Sequence, residues 1–169
     1  MARLPGRLGT LVAKDLMTPY VVTITEKMTV EDAIRMLKEK NHSGAPVVDE
    51  YGHLVGTISV RDIMQNKDGP HRAAGRGYRS GSVDNSALWP VEFAEQPIDE
   101  HNQDLVFNWM RREPPAVTEY SRLIDISRLM CSHHMHRLPV VSHTGKLVGI
   151  ITTMDILAAL VNMADESSP

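Results

Sequence analysis

Gly56-Thr57-Ile58-Ser59-Val60-Arg61-Asp62 and Gly149-Ile150-Ile151-Thr152-Thr153-Met154-Asp155 share one pattern. An apolar strand ends, a hydroxyl residue follows, and a carboxylate stands three positions on. Ser or Thr is a preferred N-cap, and an acidic residue in the first turn complements the helix dipole, so each stretch predicts a strand running into a helix. The two stretches lie 93 residues apart, and the same offset holds outward from them without a gap. Met17 falls on Met110, Thr25 on Thr118, Glu26 on Glu119, Asp32 on Asp125 and Arg35 on Arg128. Pro46-Val47-Val48 falls on Pro139-Val140-Val141, and Gly52, Leu54, Val55, Gly56 and Ile58 fall on Gly145, Leu147, Val148, Gly149 and Ile151. With Asp62-Ile63 on Asp155-Ile156, this makes 15 identities in the 48 positions from Met17 to Met64. The chain is an internal duplication.

Each copy reads β-α-β-β-α. A short β-type stretch comes first, Val21–Thr25 and Ala116–Thr118. In the first copy Thr29 is the expected N-cap, with Asp32 at the capping-box position, and Val30, Ala33, Ile34 and Leu37 form one helical stripe. Leu123, Ile126 and Met130 mark the matching stripe. A hairpin follows: Pro46-Val47-Val48, a turn at Glu50-Tyr51-Gly52 and a return strand over Leu54–Ile58, repeated as Leu138–Ser142, Thr144-Gly145 and Leu147–Ile151. The second helix starts after Ser59 or Thr152. About 50 residues bury too little surface to be comfortably stable alone, so the two copies are expected to pack as a pseudo-two-fold pair. The expected fold is α/β of the α+β kind: first repeat and N-terminal segment 1–65, insert 66–104, second repeat and C-terminal tail 105–169. The insert opens Gly- and Arg-rich and turns acidic from Val91 to Asp104. It reads as a surface loop, or as a partner-binding or ligand-covering loop anchored by Trp89 and Phe93.

Composition supports an ordinary globular protein: 169 residues, 42% apolar, 23% charged. A net charge of −3 gives no sign of a nucleic-acid binder. The single Cys131 excludes an internal disulfide and fits a reducing compartment. No apolar run reaches the roughly 18–20 residues that span a bilayer, and Met1–Thr10 lacks the apolar core of a secretory signal. No membrane association is expected, and a cytoplasmic location follows.

The junction itself supports two readings. Ser59 and Thr152 with Asp62 and Asp155 can serve as helix caps and nothing more. Alternatively, the helix N-terminus favours an anion, and the carboxylate can accept hydrogen bonds from the two hydroxyls of a ribose.

The Pro-Val-Val hairpin, its turn glycine and the Gly-x-Ile-Ser/Thr-x-x-Asp-Ile junction resemble the CBS-domain family, whose paired form is called a Bateman module. The resemblance covers Lys14–Gln65 and Leu105–Asn162. It implies a cleft between the repeats with up to two sites for AMP, ADP, ATP or S-adenosylmethionine. Ser59 and Asp62, and Thr152 and Asp155, would contact ribose and nearby phosphate. The ligand-binding set it implies extends to Thr25, Ala45 and Pro46 in the first repeat, and to Thr118, His136, Arg137, Leu138 and Pro139 in the second. His136-Arg137 is similar to a phosphate-contacting pair of the family, and a guanidinium matches phosphate oxygens with a planar fork. The first repeat has Ser43-Gly44 there, which leaves room but no charge, so the second-repeat site is expected to be the better one.

Cys131, His133, His134 and His136 raise a metal-site reading, but their helical spacing scatters them and no second Cys pair supports a closed site; no metal and no cofactor beyond the adenosyl ligand is expected. The ten methionines read as core filling. No Ser-His-Asp set, Walker loop or glycine fingerprint points to an enzyme. A homodimer is expected through helix faces around Leu16, Ile63, Ile156 and Leu160, and the regulated protein is another chain of unknown identity.

Overall fold

The structure, a computed structural model, describes residues 9–65 and 105–166. In chain order its elements are α1 (Ala13–Leu16), β1 (Ile24–Thr25), α2 (Val30–Glu39), β2 (Gly44–Val48), β3 (Leu54–Ser59), α3 (Val60–Gln65), α4 (Val106–Trp109), β4 (Arg111–Arg112), β5 (Val117–Thr118), α5 (Leu123–His133), β6 (Arg137–Val141), β7 (Leu147–Thr152) and α6 (Thr153–Glu166). They form two compact units, which the described residues divide as 22–65 with 105–114, and 9–21 with 115–166. The insert, with Trp89 and Phe93, lies outside the described residues.

In the first unit the sheet order is β1-β2-β3-β4. β1 runs parallel to β2, while β2–β3 and β3–β4 are antiparallel. The hairpin turns through Gly52 at φ 84°, a left-handed conformation that glycine adopts without a Cβ penalty. Thr29 caps α2 as expected, its Oγ1 accepting from the Asp32 N–H at 3.1 Å. The stripe predicted from the sequence then places Ala33 and Leu37 in a core with Ile24, Val47, Ile58 and Val106. Residues 105–114 complete this unit: the Val106 and Phe107 N–H groups donate to the Met28 and Glu26 carbonyls at 2.8 and 3.0 Å.

The second unit repeats the register. β5 runs parallel to β6, and β6–β7 is antiparallel, with Arg137 opposite Thr152 where the first hairpin sets Gly44 opposite Ser59. Thr18 bridges Ile150, as Arg111 pairs Thr57 on β3. The core holds Ala13, Ile126, Leu138, Val140 and Ile151. The segment that precedes each repeat in the chain is therefore built onto the strands of the other repeat.

One expectation needs correction. Leu16 and Ile156 pack against the core of the second unit and Ile63 against that of the first, so they are not free interface residues; only Leu160 of the expected set is exposed. It lies on α6 beside Met154, Leu157 and Val161, which are 67%, 51% and 59% exposed. At Gly44 an added Cβ would meet the Ile58 carbonyl oxygen at 2.7 Å, so the hairpin accepts no side chain there.

Candidate functional site

Both junctions fold as the sequence predicts. At the end of β3, the Asp62 N–H donates to Ser59 Oγ at 3.2 Å. In return Asp62 Oδ2 accepts from the Ser59 N–H at 3.1 Å and from Ser59 Oγ at 2.6 Å. This reciprocal box holds the carboxylate over the strand end. Asp62 is 5% exposed, the one buried charged residue among those described. A buried carboxylate needs a partner, and Arg111 supplies it. Its Nε donates to Asp62 Oδ1 at 2.6 Å, and its Nη2 closes the ion pair on the same oxygen.

At the end of β7 the same box forms. Asp155 Oδ2 accepts from the Thr152 N–H and from Thr152 Oγ1, each at 2.7 Å, and the Asp155 N–H donates to Thr152 Oγ1 at 3.3 Å. Here the resemblance between the copies stops. Asp155 is half-buried, and its Oδ1 has no hydrogen-bond or ion-pair partner among the described residues. The position matching Arg111 is Thr18.

The second junction also carries positive charge, Arg137, that has no ion-pair partner among the described residues. Arg137 stands opposite Thr152 across the β6–β7 ladder, so the two side chains leave the same face of the sheet. His136 precedes it, and its carbonyl accepts the Thr153 N–H at 3.0 Å at the start of α6. Both side chains are exposed. Arg137, His136, Thr152 and Asp155 thus gather at one strand–helix corner, where the helix dipole favours an anion.

The other expected residues sit less openly. Thr25 and Thr118 are exposed on β1 and β5, and Thr118 Oγ1 lies 3.1 Å from Ser121 Oγ. Ala45, Pro46, Leu138 and Pro139 are buried; Leu138, with no exposure, belongs to the core of its unit. Among the described residues no group of three His, Cys, Asp or Glu side chains is placed to hold a metal ion. Arg111 is the residue at this junction that the sequence reading missed. Its signal was its position directly after Met110, which the offset aligns with the uncharged Thr18.

Comparison with known proteins identifies the family and the fold. The family model described as "CBS domain" matches residues 13–69 and 104–162. The chain is 28% identical over 168 residues to the CBS domain-containing protein CBSX2, chloroplastic, of Arabidopsis thaliana, covering 96% of this chain and 69% of that protein. The crystal structure of CBSX2 in complex with AMP superposes with a TM-score of 0.66 at 26% identity, over 90% of this chain and 98% of that one. The cytosolic domain of the Mg2+ channel MgtE in complex with ATP gives 0.61 at 27% identity, over 88% of this chain and 48% of that one. The chain belongs to the CBS-domain family and carries two CBS repeats.

Proposed function

We propose that this protein is a regulatory module that binds an adenosyl ligand, AMP, ADP, ATP or S-adenosylmethionine, without catalysing a reaction on it. The observation that carries the reading is the Asp155 carboxylate. One oxygen is fixed by Thr152, and the other, at the mouth of a helix N-terminus, has no partner among the described residues. A ribose diol would donate to that second oxygen, and phosphate would meet the exposed His136 and Arg137. The AMP and ATP complexes of CBSX2 and MgtE, both above 25% identity, support this ligand class. Binding would stabilise the ligand-bound form, and a signal would follow from unequal affinity for two conformations. A cytoplasmic location belongs to the same proposal; among the described residues no helix is long and apolar enough to cross a membrane.

Isothermal titration of ligand-stripped protein with AMP, ATP and S-adenosylmethionine tests the reading. At least one is expected to bind, and Asp155→Ala to weaken it about tenfold or more, the usual scale for a hydrogen bond to a charged group. No binding by any of the three, or an unchanged affinity in Asp155→Ala, would overturn it. A second reading, an interaction module that acts through a homodimer, is favoured by the exposed apolar row on α6.

A further inference from the structure

We propose that Arg111 closes the first-repeat junction, so that the chain takes one adenosyl ligand, at Asp155, rather than two. This rests on the reading above and adds to it the residue that sets the number of sites. An ionised carboxylate offers about four acceptor positions. At Asp62 they are filled from within the fold: Oδ2 by the Ser59 N–H and Oγ, Oδ1 by Arg111 Nε and Nη2. A diol approaching Asp62 would find no free lone pair and would have to displace a guanidinium from a carboxylate that is 5% exposed. Displacement takes the charged partner from a carboxylate in a poorly solvated place, which is costly.

The closure is a property of one side chain and not of the fold. Arg111 is placed by its pairing with Thr57 on β3, and Thr18 is placed the same way by Ile150 beside β7. The two boxes beneath them are alike, hydroxyl to carboxylate at 2.6 and 2.7 Å. The occupant of the flanking position differs. A threonine lacks the length and the charge to hold the carboxylate, so among the described residues Asp155 Oδ1 meets no partner, whereas Asp62 Oδ1 is held by Arg111. The first junction also lacks the cation that Arg137 provides in the second, since Gly44 stands in the matching register.

Titration of the intact, ligand-stripped chain with AMP and with adenosine reads this directly. The wild type is expected to bind one equivalent, Asp155→Asn none, and Arg111→Thr two, the added site favouring neither probe because no Arg137 counterpart is present. Two equivalents in the wild type, one retained by Asp155→Asn, or one still in a folded Arg111→Thr would overturn the closure while leaving the ligand class intact. No binding by the wild type would instead overturn the ligand reading, and this inference with it. Should Arg111→Thr fail to fold, the wild-type and Asp155→Asn stoichiometries decide alone.

Discussion

The Met17 sulfur lies over Gly149 so closely that a Cβ built on the glycine would meet it at 2.5 Å. Met110 covers Gly56 in the same way, at 2.6 Å. Each glycine lets the segment before the other repeat lie down on the hairpin, and the two sites differ in what else is near. At Gly56 the added Cβ would also meet the Arg111 carbonyl oxygen at 2.9 Å, whereas at Gly149 the three nearest atoms all belong to the Met17 side chain. Backbone cannot swing aside as a thioether can. Gly56→Ala is therefore expected to destabilise by about 1–3 kcal/mol, on the scale of overpacking, and Gly149→Ala by less. Urea midpoints of the two variants check the order. Met17→Ala in the Gly149→Ala background should recover part of the loss through coupling of neighbours.

Removing the two site carboxylates should separate structure from binding. Asp62→Ala leaves Arg111 without its partner and empties a buried box, and we expect a loss of about 1–3 kcal/mol. The lower range follows from Arg111 being 40% exposed, so that its charge can turn to water. Asp155→Ala breaks a half-buried box with no ion pair and should cost less. Chemical denaturation of both proteins without ligand tests this; a larger loss at Asp155 would contradict the assignment of Asp62 as the internally paired group.

Much of this was legible in the chain. The duplication gave both hairpins, the Thr29 cap and the two hydroxyl–carboxylate boxes, because each depends on residues within a few positions of one another. Two features depend on distant partners and were not legible. The placement of 9–21 with the second repeat leaves no local periodicity; it is made by distant contacts, among them Met17 on Gly149, the Thr18–Ile150 bridge and the Ala13 N–H on the Ser121 carbonyl. The Arg111–Asp62 pair joins residues 49 apart, and nothing near Asp62 in sequence announces it. The expected dimer faces around Leu16, Ile63 and Ile156 were misplaced, since an apolar residue on a helix does not say which neighbour covers it.

His134 ends α5 in the left-handed conformation, φ 51° and ψ 43°, and its counterpart in the first repeat is Asn41 at φ 57°. Asn tolerates this region better than most residues, and Gly best. His134→Gly should stabilise by about 0.5–1 kcal/mol, the strain relieved minus the added freedom of the unfolded chain. Asn41→Gly should gain less. Thermal melts at fixed pH would show the order, and a lowered melting temperature for His134→Gly would count against strain at that cap.

The first hairpin turn holds a carboxylate where the second holds the hydroxyl of Ser142, which accepts the Lys146 N–H at 3.2 Å. Asp49 Oδ1 accepts the Tyr51 and His53 N–H groups at 2.9 and 2.8 Å, and Oδ2 lies 2.9 Å from His53 Nδ1. Burial works to raise the Asp49 pKa, but the His53 ring and these two N–H groups outweigh it and hold it below 3.8. A lowered folded pKa means that the unfolded chain binds the proton first as the solution is acidified. The contribution is whole above the unfolded value and is lost as pH falls through the folded one. Asp49→Asn should thus trail the wild type at neutral pH and converge with it once acidification has passed both the unfolded and the lowered folded pKa of Asp49. Parallel denaturation curves across that range would remove the carboxylate from the account.

Met154, Leu157 and Val161 recur at helical spacing along α6, with Leu160 beside them, and all four are exposed. Apolar side chains scattered singly need no explanation, but a continuous row on one helix face marks a surface that is covered by something. A second copy of the chain is the partner we expect, because a self-complementary helix face is the simplest closed arrangement. Light scattering should then give twice the 18.8 kDa chain mass. The double variant Leu157→Glu with Val161→Glu places like charges at the seam and should run as a monomer with its secondary structure intact. Neither residue belongs to either core, so folding of the unit does not depend on them. A wild type that scatters as a monomer at high concentration, or a variant that stays dimeric, would move the interface off this helix.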